Sequence, residues 1–106
     1  MAFNSGTTML DAVVLSVVAH DEEGTYGYKI TQEVRSVLDV SESALYPVLR
    51  RLQTSEFLET YDKEFSGRNR RYYKITSQGM IQLDSYRREW IDYRNKLNNM
   101  LLGEEI

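Results

Sequence analysis

Between Met9 and Ala19 the chain is apolar almost all round: Met9, Leu10, Ala12, Val13, Val14, Leu15, Val17, Val18 and Ala19. Periodicity cannot separate a buried helix from a buried strand in such a run. A length of about 11–12 residues favours a helix, while the valines favour a strand. We read it as a central helix, preceded by a flexible arm over 1–8 and closed by the acidic, Gly-containing turn His20–Thr25. From Tyr26 to Leu38, Ile30, Val34, Val37 and Leu38 recur at the spacing of one helical face. Gly27, near the start of that helix, suits the close approach of a neighbouring backbone. Ser41 is a good N-cap with Glu42 in the favourable first turn, and Leu45, Val48, Leu49 and Leu52 carry a third helix to about Ser55. Pro47 lies within about two turns of that cap, so it removes one backbone bond without ending the helix.

The period then changes. Phe57–Tyr61 and Arg71–Thr76 are aromatic and β-branched, and they flank the polar stretch Asp62–Asn69 with Gly67 inside it. That pattern predicts a β-hairpin with a long basic tip. Tyr73 and Ile75 alternate with Tyr72, Lys74 and Thr76, which predicts one packed face and one wet face. Thr76 is a plausible N-cap for a last helix over about Ser77–Leu102, roughly 39 Å long. Its apolar positions, Leu83, Tyr86, Trp90, Tyr93, Leu97 and Met100, step by alternating threes and fours. This is a coiled-coil seam, and the small domain ahead of it cannot cover its whole length. A second copy of the chain is expected to do so.

Composition narrows the chemistry. The chain has 106 residues, 42% of them hydrophobic, which excludes intrinsic disorder and leaves room for one modest core. There is no cysteine and one histidine, His20, so disulfides and thiolate metal sites are excluded, and no cofactor is expected. No apolar run reaches the ~18 residues of a membrane span and no leader pattern opens the chain, so the expected location is the cytoplasm, with no membrane partner. An enzyme is not expected either. His20 sits in an acidic turn, no serine has a nucleophile elbow, and no Gly-rich phosphate loop is present.

The net charge of −3 hides a local reversal. Residues 1–28 hold four acids and no base, whereas 63–74 hold Lys63, Arg68, Arg70, Arg71 and Lys74 against Glu64 alone. A polyanion responds to that concentration rather than to the total. Three helices followed by a hairpin is the order of a winged helix-turn-helix, mainly α with a β-hairpin wing. Residues 41–55 would be the recognition helix and 63–71 the wing. Lys29, Arg50, Arg51, Arg68, Arg70 and Arg71 supply the cations that DNA requires. The alternative is a protein-interaction module on the same fold, which has no need of wing cations.

At these residues the chain resembles the PadR-type transcriptional regulators. Ser41–Pro47, running on to Arg50-Arg51-Leu52, resembles their S-x-x-x-L-Y-P-x-L-x-R-L recognition helix. Leu10–Leu15 resembles their first helix, and Tyr26-Gly27-Tyr28-Lys29-Ile30 the opening of their second. Gly67–Tyr73, leading to Thr76-Ser77-Gln78-Gly79, resembles their wing and helix junction. Tyr26 stands where a His is common, and Asn69 replaces the usual wing Pro. The resemblance, from about residue 9 to 100, implies a winged domain over 9–76 and one dimerisation helix over 77–106, as in the short subfamily. It implies a homodimeric repressor that leaves a palindromic operator when a small molecule binds. By the same resemblance Ser43, Tyr46 and Arg50 contact DNA from the recognition helix, and Arg68, Arg70 and Arg71 from the wing. Trp90 lies mid-seam with Tyr86 and Tyr93 one turn to either side. With aliphatic walls such as Val14, these rings would form a flat apolar cavity for a planar aromatic effector. Short members of the family resemble this in stacking ligands on a tryptophan at the matching position.

Overall fold

A computed structural model describes residues 6–103. The elements are α1 (Gly6–Ala19), β1 (Thr25–Tyr26), α2 (Gly27–Arg35), α3 (Glu42–Thr54), β2 (Leu58–Phe65), β3 (Arg68–Ile75) and α4 (Ser77–Leu102). The fold is a mainly helical winged helix, as the hydrophobic pattern predicts. Val14, Leu15, Val18, Ile30, Val34, Leu45, Leu49, Leu52, Leu58 and Leu83 are fully or almost fully buried in one cluster. Each contributes about 1.5–3 kcal/mol by leaving water. α1, apolar all round, runs through the middle and packs on α2, α3, β3 and α4.

α3 starts as its sequence dictates: the Ser41 hydroxyl accepts from the Ala44 N–H at 3.2 Å. Pro47 lies inside the helix and faces out. Its missing N–H leaves the Ser43 carbonyl without an intrahelical donor, on a side where water can supply one. α4 begins under the Thr76 cap, whose hydroxyl accepts from Gly79 N–H at 2.9 Å. The same hydroxyl donates to the Glu56 carbonyl, and the Thr76 N–H donates to the Phe57 carbonyl at 3.0 Å. Gly79 is packed so closely that a Cβ there would lie 2.2 Å from the Phe57 carbonyl oxygen. These contacts fix the direction in which α4 leaves the domain. The described residues extend over 56 × 27 × 20 Å.

Several boundaries differ from those read in the sequence. The arm expected over 1–8 is helical from Gly6, and residues 1–5 lie outside the described residues. Tyr26 is extended and belongs to β1, a third strand that pairs with β3 through Thr25↔Tyr73 and Tyr26↔Tyr72. α2 therefore starts one residue later and ends at Arg35; Val37 is exposed, while Leu38 packs on the core. The neighbour nearest Gly27 is the Tyr46 ring, not a backbone, and a Cβ there would lie an ordinary 3.7 Å from it. The hairpin has no long tip: its strands run to Phe65 and from Arg68, joined by Ser66 and Gly67. Both turn residues have positive φ, 52° and 79°, as a two-residue type I′ turn requires. Nor is the Tyr72 face simply wet. Tyr72 stacks on Tyr61 at 5.4 Å and meets Tyr26 edge-on at 5.7 Å.

Candidate nucleic-acid interface

Residues that face the core along α3 leave the opposite side free, and there Ser43, Tyr46 and Arg50 are all exposed. The inner face of the hairpin carries Asn69, Arg71 and Tyr73, alternate residues of β3, whose lower part packs on the core through Tyr73 and Ile75. The two faces meet in a concave surface. One cleft of about 170 Å³ lies between Tyr46, Arg50 and Gln53 on α3 and Arg71 and Tyr73 on β3. A wider one, about 550 Å³, is lined by Tyr26–Tyr28 at the start of α2, by Tyr46, and by Asn69, Arg70, Arg71 and Tyr73. Hydroxyls, an amide and guanidinium groups at the mouth of a cleft beside an exposed helix suit a phosphate backbone. Burial pushes the Tyr73 phenol above its usual pKa, so it remains a neutral donor.

The sequence-predicted cations divide into two groups. Arg50, Arg68 and Arg71 are exposed, with Arg71 in a loose 3.7 Å pair with Asp62. Lys29 is exposed and 3.9 Å from Asp21. Exposed pairs of this kind contribute about 0–1 kcal/mol and release their cations readily. Arg51 is different. Its guanidinium grips the Asp11 carboxylate of α1 with both Nη2 and Nε, on an acid only 13% exposed. That hydrogen bonding raises the Arg51 pKa above its usual value. Arg51, although itself still partly exposed, thus braces the recognition helix against α1. Arg70 is also engaged, with its guanidinium carbon 4.0 Å from the Tyr26 ring and 3.8 Å from the Phe65 ring.

Tyr28, Gln53 and Asn69 line these clefts but are not among the residues the sequence assigns to DNA contact. The usable signal for Asn69 was its place within the Gly67–Tyr73 segment. Tyr28 likewise lies within the Tyr26–Ile30 segment, whereas Gln53 carried no signal, because a polar position on a helix is ordinary.

A second cavity, about 240 Å³, opens between α1 and α4. Met9, Ala12, Val13 and Ser16 form one wall, and Leu83, Tyr86, Arg87 and Trp90 form the other. Trp90 and Tyr86 both line it. Val14 does not, because it is fully buried in the core one residue out of phase, and Val13 supplies the aliphatic wall. Tyr93 does not line it either, although its ring lies 6.2 Å from that of Trp90. Along the predicted seam, Leu83 is buried within the chain and Tyr86 half-buried, whereas Met100 is 85% exposed. Ile91, Leu101 and Leu102 are exposed nearby on α4. Among the described residues no group of three His, Cys, Asp or Glu is placed to hold a metal ion, and no helix is long and apolar enough to cross a membrane.

Comparison with known proteins agrees with this architecture. Residues 14–85 match the transcriptional regulator PadR-like family. A protein of Streptococcus mutans with a solved structure is 31% identical, with a TM-score of 0.83 over 93% of this chain and 91% of its own. A PadR-like transcriptional regulator of Bacillus cereus is also 31% identical, with a TM-score of 0.80 over 91% of this chain and 94% of its own. An uncharacterized protein of Lysinibacillus sphaericus is 33% identical over 101 residues, 91% of each chain.

Proposed function

The chain belongs to the PadR-like family of transcriptional regulators, DNA-binding proteins rather than enzymes, and from that premise we propose that it acts as a homodimeric repressor of a palindromic operator. The observation that carries this reading is the concave surface in which exposed Tyr46 and Arg50 of α3 meet Arg71 and Asn69 of the wing, with Ser43 exposed nearer the N-terminus of the same helix. α3 enters the major groove. Ser43, near its N-terminus, and Arg50 meet base edges, Tyr46 meets a phosphate, and Arg68 and Arg71 hold the flanking backbone. Lys29 adds charge at the rim.

The outer half of α4 supports the dimer. Met100, at the far end of the Leu83–Met100 seam, is exposed with Leu101 beside it, and a second copy packed along that seam covers them. Such a two-fold pairing sets two recognition helices about one DNA turn apart. A planar aromatic effector fits the apolar α1–α4 cavity, stacking on Trp90 with Tyr86 beside it. Occupancy changes the angle between the two long helices of the dimer, and with it the spacing of the recognition helices.

Two titrations test this. With about 6–8 phosphate contacts, log affinity for duplex DNA falls against log salt with a slope of roughly −5 to −7. The single tryptophan reports the cavity directly: planar aromatic compounds that release DNA quench its fluorescence saturably. Binding that ignores salt, or DNA release that leaves the tryptophan unchanged, contradicts the corresponding half of the reading.

A further inference from the structure

We propose that Arg70 is a positioning residue that braces the wing, and that the wing meets DNA through Arg68 and Arg71 without it. The hairpin register places Tyr61, Lys63 and Phe65 of β2 on the same face as Arg68, Arg70 and Tyr72 of β3, with Tyr26 of β1 opposite Tyr72. This is the face turned away from the core, and on it the side chains are layered. Tyr61 stacks on Tyr72, Lys63 lies 5.7 Å from the Tyr72 ring, and Tyr26 meets Tyr72 edge-on. The Arg70 guanidinium sits between two rings, 4.0 Å from Tyr26 and 3.8 Å from Phe65. Both distances are well inside the range in which a cation is attracted to a ring face.

The two rings belong to different parts of the molecule. Tyr26 caps α2 and is paired into the sheet, so it moves with the helical body. Phe65 is the last residue before the Ser66–Gly67 turn, so it moves with the tip. β1 pairs with β3 only as far as Tyr72, and beyond it residues 62–71 form a two-stranded ribbon in which Arg70 alone is half-buried and the rest are exposed. An isolated ribbon of that kind is marginal in water. A planar cation clamped between a body ring and a tip ring fixes its pitch, and although Arg70 borders the wider cleft beside Asn69 and Arg71, its two ring contacts hold the guanidinium at the edge of that cleft. Sequence alone makes Arg70 the middle of three equivalent basic residues, and the register makes it the odd one.

The proposal rests on the wing meeting DNA, and the test separates the two. Phe65→Ala, Arg70→Ala, Arg70→Lys and the Phe65→Ala/Arg70→Ala double variant are compared with Arg68→Ala. The probe is a mixed-sequence duplex about three helical turns long, bound at several salt concentrations. The expected result is that Phe65→Ala and Arg70→Ala each lose about tenfold in affinity with the salt slope unchanged. The double variant is then no weaker than either single one, since both remove one brace. Arg70→Lys keeps the charge but not the planar stack and loses affinity as well. Amide exchange of residues 62–71 in the DNA-free protein accelerates about tenfold in the single variants while the helices keep their rates. A slope reduced by about 0.9 in Arg70→Ala, or unchanged wing exchange in both single variants, overturns the brace. An Arg68→Ala protein with full affinity and slope overturns the wing reading beneath it.

Discussion

Replacing Gly79 with alanine tests whether the α4 junction is as tight as the structure makes it. A Cβ at this position would lie 2.2 Å from the Phe57 carbonyl oxygen and 2.6 Å from Ile75 Cγ1. An ordinary carbon–oxygen contact is about 3.3 Å, so α4 and the start of β2 must separate by about 1 Å. That displacement stretches the 3.0 Å bond from Thr76 N–H to the same carbonyl. The overpacking costs about 1–3 kcal/mol and the weakened bond about 1 kcal/mol. Alanine returns up to about 1 kcal/mol through helix propensity, which leaves a net loss near 2 kcal/mol. For a chain of this size the melting temperature then falls by about 8–15 °C. Thermal melts followed by far-UV circular dichroism, at one protein concentration for all variants, provide the measurement. Gly6→Ala is the control, because nothing lies within 4 Å of a Cβ there. A Gly79→Ala protein that melts with the wild type refutes the close packing and the claim that the junction aims α4.

The Asp11–Arg51 pair should couple by about 1 kcal/mol in a double-mutant cycle of urea unfolding, above a typical exposed pair because the acid is largely covered. Additive single losses would show the brace to be inert, and Arg51→Ala should leave the salt slope of DNA binding unchanged. Arg68→Ala should weaken binding to all sequences about equally and lower the slope by about 0.9, whereas Ser43→Ala and Arg50→Ala should change the preference among sequences. A uniform loss in Arg50→Ala would move that residue from base edges to the phosphate backbone. Trp90→Ala should abolish both ligand quenching and DNA release; a variant that still releases DNA at the same ligand concentration places the effector outside the α1–α4 cavity.

Much of the fold was legible because its signals are local. The Ser41 and Thr76 caps, the apolar face of α3 and the length of α4 lie within single elements, and the structure has each where the pattern placed it. β1 was not legible: two residues, Thr25 and Tyr26, are too short for any period, and only pairing with β3 makes them a strand. The hairpin read too short because residues 62–71 are wet on almost every side, so the alternation that marks a half-buried strand is missing. Val14 was placed in the cavity wall because a helix apolar all round gives no phase, and its neighbour Val13 faces the cavity instead. Arg51 and Arg70 read as free cations because their partners, Asp11, Tyr26 and Phe65, are set by tertiary contacts and strand register.

Selection of bound duplexes from a random-sequence pool tests the central claim most directly. A dimer reading DNA with two α3 helices predicts an enriched site with two-fold symmetry, its half-sites about one helical turn apart centre to centre. Enrichment of an asymmetric site, or no enrichment over non-specific binding, would contradict the account.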